Sequence, residues 1–513
     1  MEWERTVLDV FVAKHSGFCF GVEKAIERSR MELMNIQPDD QPVYSLGPLI
    51  HNRQVVNELE SQGLKTLEDL DHASAGTVII RSHGVAEWVY GEIENKGMKV
   101  VDATCPFVRK TQEIVRDQHK AGSRIVIVGD KNHPEVIGIN GWCDNKGIVL
   151  EDPRQLHGIS STTPITIVAQ TTVQEALFEK VTALIRSKFT NVQVCNTICL
   201  ATRQRQEAAK KLAEMVDAMI IIGGRHSSNT QKLFEVCRSV LPDDTWLVEN
   251  VYELPFGKIC HYNRVGVTAG ASTPDDLIKQ VVDLLQAIDH QKKWQIAIDG
   301  PAGAGKSTIA RKLADQFSFT YVDTGAMYRA VTLSVIRNGI PLTNTMEILE
   351  LLESVEISFA NDRIFLDGMD VTDEIRTKEV TAGVSAIAGI KEIRKKLVEL
   401  QQKIAESNHV VMDGRDIGTV VLAGADVKVF LTATAEERAQ RRFAETKHEN
   451  GESYKMILQQ IKERDFADET REHDPLVPAE DAVQIDTTHL SIQEVVEKIT
   501  ILFIDTVKAK VNK

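Results

Sequence analysis

The 513-residue chain has no apolar run long enough to span a bilayer, so no membrane partner is expected. Its first residues, MEWERTVLDVFVAKH, mix acidic with apolar side chains and contain no cleavable apolar core, and a cytoplasmic protein is expected. Positive charge is scarce: 60 Lys and Arg stand against 74 Asp and Glu, a formal net charge of -14. A nucleic-acid partner needs clustered cations that this balance does not supply, although small anions could still bind in local pockets. Cysteine is also scarce and lopsided. All seven lie at or before Cys260, and without C-x-x-C pairs a zinc ribbon is not expected. In a reducing compartment they are thiols or metal ligands rather than disulfides. Single hydrophobic cores stop growing at roughly 250–300 residues, so the length suggests about two to four domains.

From Val10 to about Ile288 short apolar runs alternate with amphipathic helical stretches, the pattern of α/β units around mostly parallel sheets. Five of those runs end alike. TVIIRSHGV, RIVIVGDKNHPEV, ITIVAQTTV, MIIIGGRHSSN and RVGVTAGASTP each carry a strand into small hydroxylic, His or Gly residues. The carboxyl ends of strands are where open α/β sheets bind ligands, so these endings are expected to converge on one polar pocket. Ser227, Ser228 and Asn229 precede one helix, and Ser272 and Thr273 precede Pro274 before another. Helix starts of this kind offer free N–H groups to an anion, and a shared phosphate or diphosphate site is expected. His51, His83 and His133 could add donors. GFCFGV, DATCPFV and NTICLAT place Cys19, Cys105 and Cys199 in turn-like contexts at comparable spacings, which suggests three related modules meeting at a centre.

The segments HSGFCFGVEKAI, LIHNRQVV, RSHGV, DATCPFV, HPEVIG, AQTT, SSN and TAGAS, in that order, resemble the 4-hydroxy-3-methylbut-2-enyl diphosphate reductase family over nearly the whole first half. The resemblance implies that Cys19, Cys105 and Cys199 ligate three irons of a [4Fe-4S] cluster, with the fourth iron left for substrate. It further implies that His51, His83, Ser227, Ser228, Asn229 and Ser272 hold the diphosphate with His133 nearby, and that Glu135, assisted by Thr171, delivers protons. The products would be isopentenyl and dimethylallyl diphosphate. With nothing resembling a flavin or nicotinamide site, electrons are expected from a separate ferredoxin or flavodoxin.

The charged joint DHQKKW leads into the strand QIAIDG and the loop GPAGAGKS, followed by the helix TIARKLADQF. This is a phosphate-binding loop in its required context. Gly300, Gly303 and Gly305 let backbone N–H groups wrap phosphates, Lys306 balances β/γ charge, Ser307 can ligate Mg2+ and Thr308 follows. Arginines recur farther on, and Arg464, Asp468 and Arg471 are spaced to share one helical face. Spare arginines suit a kinase, which must offset charge on two phosphorylated substrates; the Asn-Lys-x-Asp of a switch GTPase is not found.

DGPAGAGKST, DTGAMYR, the hairpin-like ISFANDRIFLDGMDVTDEIRT, DGRDIGTVV and IKERDFADETR resemble bacterial cytidylate kinase from Trp294 nearly to the end. The resemblance implies a parallel-sheet kinase with an insert near 347–388 and a lid near 438–472. Ser385, Arg394 and Asp416 fall on cytosine-reading positions; Thr324, Arg329, Arg415, Arg464, Asp468 and Arg471 fall around sugar and phosphates.

The expectation is therefore α/β throughout: a three-module reductase around a central iron–sulfur cluster at 1–289, then a P-loop nucleoside monophosphate kinase at 294–513. Its substrates would be 4-hydroxy-3-methylbut-2-enyl diphosphate, MgATP and CMP or dCMP. The alternative is an iron–sulfur redox sensor controlling a nucleotide kinase.

Overall fold

The computed structural model describes residues 8–35, 42–73, 75–155, 163–289, 292–360, 363–445 and 453–511. The acidic start at 1–7, residues 290 and 291 of the joint, 361 and 362 of the insert and 446–452 of the expected lid lie outside them. The chain forms two compact units: Asp9–Val251 with Tyr262–Gln286, and the chain from Ala287 onward with Leu8 and Tyr252–His261. The chain thus crosses between the two units more than once, since Leu8 and Tyr252–His261 group with the residues from Ala287 onward.

Among the described residues, the first unit holds three four-stranded sheets, all parallel. One orders Leu64–Leu67, Val43–Leu46, Thr77–Ile80 and Lys99–Asp102; the second orders Ile148–Leu150, Arg124–Val128, Ile165–Ala169 and Val192–Val194. The third joins the chain's first strand to its later ones, in the order Asp9–Val12, Arg264–Ala269, Ala218–Ile222 and Thr245–Val248. Thr77–Ile80, Ile165–Ala169 and Ala218–Ile222 are buried along their whole length, as inner strands of parallel sheets covered on both faces must be. That is why they read as continuous apolar runs. Helices Phe20–Asn35, Pro106–Lys120 and Leu200–Ala213 each begin one residue after a cysteine. Pro106 sits at the first helical position, where its missing N–H costs no intrahelical bond.

In the second unit a parallel sheet orders Thr320–Asp323, Val410–Gly414, Gln295–Asp299, Val427–Thr432 and Val483–Asp486. The expected insert contains an antiparallel sheet of Ile357–Ala360, Arg363–Leu366 and Met369–Asp370. Asp367 and Gly368 turn its second hairpin with φ of +50° and +76°, the left-handed pair that a tight Asp-Gly turn requires. Phe256, from Tyr252–His261, is fully buried in this unit, its ring centroid 5.2 Å from Phe503 and 5.8 Å from Trp294. Gln316 Nε2 donates to the Tyr252 carbonyl at 2.8 Å. No helix among the described residues is long and apolar enough to cross a membrane.

Candidate active sites

The five similar strand endings of the first unit do meet, around one cavity lined by Cys19, Cys105 and Cys199 on one part and by side chains from the endings on the rest. Backbone bonds hold each cysteine to one of those endings. Cys19 N–H donates to the Ala271 carbonyl at 3.1 Å, Cys105 N–H to Ser82 at 3.0 Å and Cys199 N–H to Thr171 at 3.0 Å. Helix Phe20–Asn35 comes so close that a side chain at Gly21 would strike the Cys105 sulfur. Burial pushes the Cys105 thiol up to about 11, and the neighbouring Cys19 and Cys199 push the same way. Three free thiols crowded at three helix N-termini fit a thiolate-liganded metal cluster.

His51, His83 and His133 form a triangle, with ring centroids 4.7, 5.4 and 5.9 Å apart. Burial lowers all three, His133 to about 4 and His83 well below its ordinary value, so the rings are neutral near pH 7. Their ring nitrogens lie within 4.8 Å of one another, a spacing that could also hold a metal ion. His133 argues for an anion instead. Its Nδ1 accepts the Glu135 N–H at 3.2 Å, which leaves the proton of the neutral ring on Nε2, a donor rather than a ligand. His51 Nε2, His83 Nδ1 and both amide atoms of Asn229 are buried without a hydrogen-bond partner among the described residues. Such groups are costly unless a ligand satisfies them.

The serines are less free. Ser227 caps helix Ser228–Arg238 through the Thr230 N–H, Ser228 Oγ lies 3.2 Å from Thr172 Oγ1, and Ser272 Oγ donates to the His51 carbonyl at 3.2 Å. Glu135, in the first turn of Pro134–Asn140, accepts the Thr171 N–H at 2.6 Å and the Thr171 hydroxyl at 2.9 Å. Burial raises this carboxyl to about 7 against those two bonds. The sequence assigns no role to two arginines here, Arg81 of RSHGV and Arg205. Arg81 depresses all three imidazoles with its charge, and buried Arg205 ties down the Cys19 loop through the His15 and Gly17 carbonyls, both at 2.7 Å.

In the second unit, Gly303 and Gly305 turn with φ of +79° and +86° to open the loop before helix Lys306–Phe317. Gly300 sits at +144° with the Leu431 carbonyl where a side chain would go. Lys306 is buried, donates to the Pro301 carbonyl at 2.8 Å and is lowered to about 7 by burial and by the Arg415 charge. The loop, including Ser307 and Thr308, lines a cavity of about 910 Å³ with Arg438, Arg441, Arg442 and Arg464. Ser307 Oγ donates to Asp413 at 2.8 Å. That hydroxyl and carboxylate together fit a phosphate-bound Mg2+. The motifs give no role to Asp413, the first residue of DGRDIGTVV, or to Arg438. Arg438 bonds the Ala302 carbonyl of the loop at 3.0 Å and forks onto Asp465 of helix Tyr454–Thr470 at 3.0 and 2.7 Å.

Arg394 and Asp416 are both buried and form an ion pair. Arg394 also bonds Asp474 at 2.9 Å, and Arg471 reaches Asp416 at 3.5 Å. Arg415 pairs with Asp468 at 2.8 Å, Arg329 with Asp323 at 3.1 Å, and Thr324 Oγ1 donates to the Asp413 carbonyl at 2.8 Å. Ser385 is exposed on helix Lys378–Ala388 and stands outside these bonds. The shared helical face expected for Arg464, Asp468 and Arg471 is corrected by the structure. The helix ends at Thr470, Arg471 is extended at φ -62° and ψ 142°, and its Nε turns to the Asp474 carbonyl.

Residues 10–286 match the family model of the LytB protein, and residues 296–504 match that of cytidylate kinase. A 4-hydroxy-3-methylbut-2-enyl diphosphate reductase of Alkaliphilus oremlandii is 52% identical over 276 residues, covering 54% of this chain and 98% of that protein. A protein of the same name from Clostridium acetobutylicum is 36% identical over 445 residues, 83% of this chain and 66% of that one, so likeness continues beyond the first half. The structure of the E-1-hydroxy-2-methyl-but-2-enyl-4-diphosphate reductase from Plasmodium falciparum aligns with a TM-score of 0.51 at 27% identity, over 54% of this chain and 88% of that chain. Taken with the three-module fold and the phosphate-binding loop, these matches place the chain in the LytB family of 4-hydroxy-3-methylbut-2-enyl diphosphate reductases with a cytidylate kinase domain behind it, an oxidoreductase fused to a kinase.

Proposed function

We propose that the protein is bifunctional in a cytoplasmic setting, reducing 4-hydroxy-3-methylbut-2-enyl diphosphate to isopentenyl and dimethylallyl diphosphate and phosphorylating CMP or dCMP with MgATP. The reductase reading rests above all on Glu135, a buried carboxyl near neutrality beside three thiols and a set of unpartnered donors. A [4Fe-4S] cluster on Cys19, Cys105 and Cys199 would supply electrons and a Lewis-acidic iron. The protein's own part is binding and proton delivery. His51, His83, His133 and Asn229 donate to the diphosphate, and Glu135, held by Thr171, protonates the departing hydroxyl so that it leaves as water. Two electrons and two protons are consumed, the electrons coming from an external ferredoxin or flavodoxin.

In the kinase half, Lys306, Arg438, Arg441, Arg442 and Arg464 balance the ATP phosphates, and Ser307 with Asp413 positions Mg2+. Arg329 and Arg415 hold the acceptor phosphate. Asp416 and Arg394 read the base, as acceptor and donor. A redox sensor would need no proton donor, and Glu135 weighs against that reading. One anaerobic preparation assayed for both reactions tests the proposal; absence of either turnover in protein with full iron and sulfide would sink that half of it.

A further inference from the structure

A second cavity in the kinase unit, of about 260 Å³, lies at the root of the β insert and shares no residue with the cavity above the phosphate-binding loop. Its walls are apolar on several sides. Phe319 and Tyr321 come from the strand region before helix Thr324–Arg337, Phe359 and Ile364 from the insert, and Ile375 from the turn after it. Two guanidinium groups, Arg311 and Arg376, face this lining. Arg311 lies over the Tyr321 ring at 5.2 Å, and its Nε is buried without a hydrogen-bond partner. Among the described residues neither arginine is in an ion pair, in a chain whose net charge of -14 offers carboxylates in excess. The one carboxylate in the wall, Asp323, is already committed to Arg329 at 3.1 Å and to the Ala326 N–H at 2.8 Å. Thr372 Oγ1 accepts the Ile364 N–H at 3.1 Å and gives its proton to the Asp370 carboxylate, so the arginines are left as the donors to a ligand here.

We propose that this cavity is a binding site for a small planar aromatic molecule bearing one anionic group. Aromatic and branched side chains supply faces for a ring, and a guanidinium fork matches carboxylate or phosphate oxygens. At about 260 Å³ the space lies just below the usual range for drug-sized ligands, which suits a monocyclic acid. Its floor, Asp323 and Ala326, is the start of helix Thr324–Arg337, which also carries Thr324 and Arg329.

The test titrates phenyl phosphate into the full-length protein with both nucleotide sites saturated by CMP and a non-hydrolysable ATP analogue and the diphosphate site of the first unit by isopentenyl diphosphate, read by saturation-transfer NMR. One saturable site is expected, at least about tenfold weaker in Arg311→Gln because a charge-assisted hydrogen bond is lost. Uncharged benzyl alcohol should bind at least tenfold more weakly than phenyl phosphate. Arg376→Ala, at an exposed side chain, repeats the test should Arg311→Gln fail to fold by thermal unfolding. Unchanged affinity in the folded variant, equal binding of benzyl alcohol, or no binding once the nucleotide sites are filled would overturn the proposal.

Discussion

Thr171 grips Glu135 twice, its N–H on one carboxyl oxygen at 2.6 Å and its hydroxyl on the other at 2.9 Å. Both bonds favour the carboxylate, yet burial outweighs them and holds the group near 7. Reduction should therefore decline as pH rises through about 7, where the proton is lost. Glu135→Gln should keep the cluster and bind substrate but lose turnover by about 100-fold or more. The stability sign is separate. A carboxyl raised from 4.5 to about 7 weakens the folded state progressively between those values, so the Gln variant should gain on wild type in thermal unfolding as pH increases across that window and hold the gain above it. A flat pH–rate profile with normal turnover in the variant would remove Glu135 from the chemistry.

Replacing Cys19, Cys105 or Cys199 by Ser should each abolish cluster retention and reduction while leaving phosphoryl transfer intact. Cys237 is fully buried beneath helix Leu200–Ala213 in a separate apolar cluster, and Cys237→Ser should retain iron and sulfide. Iron and sulfide analysis of anaerobic preparations separates the two outcomes.

Asp416 is buried against Arg394 and within reach of Arg471. Cytosine presents an N4 donor to this carboxylate, whereas uracil presents an acceptor. Asp416→Asn should narrow the CMP-over-UMP preference in kcat/KM by about tenfold, in line with roughly 1–3 kcal/mol per good pair. It should also cost stability, because Arg394 then keeps only Asp474 as a charged partner. An unchanged preference for CMP would exclude Asp416 as base reader.

Asp413 accepts from both Ser307 and Tyr321, at 2.8 and 2.9 Å. Asp413→Asn should raise the Mg2+ concentration needed for half-maximal kinase activity and leave reduction unchanged. A wild-type Mg2+ titration in that variant would mean that the carboxylate only orients Ser307.

Phe256 is buried among Trp294, Phe319 and Phe503. Phe256→Ala should destabilise the kinase unit by about 3–5 kcal/mol. A fragment beginning at residue 291 lacks this ring altogether and should unfold at a lower temperature than the kinase unit of the intact chain. Equal unfolding temperatures would show that the aromatic cluster closes without it.

Much of both sites was legible because motif and geometry coincide. The strand endings with His83, His133, Thr171, Ser227 and Ser272 converge as their repetition suggested, and the glycine loop sits between its strand and helix. Isolated residues were not legible. Nor were the roles of Asp413 and Arg81, although they stand in DGRDIGTVV and RSHGV: only the fold sets Asp413 against Ser307 and Arg81 beside the three imidazoles, and Arg205 closes the Cys19 loop from far along the chain. Arg471 fits a helical periodicity, but the local bond to Asp474 overrides it where the helix stops. The segment Tyr252–His261 joins the kinase unit through long-range packing that periodicity does not encode.

The parallel pairing of Asp9–Val12 with Arg264–Ala269 sets a schedule for biosynthesis. The strand lies at a sheet edge with that one neighbour, and the Cys19 loop beyond it is anchored on Ala271. About 250 residues must leave the ribosome between them, roughly 10–50 s at ordinary elongation rates. Until then Asp9–Val12 lacks the strand it pairs with, and Cys19 stays apart from the Ala271 carbonyl that anchors it. The three-thiol site can close only after the whole first half has been translated, so metal loading belongs to a completed domain, while the kinase is still emerging or later.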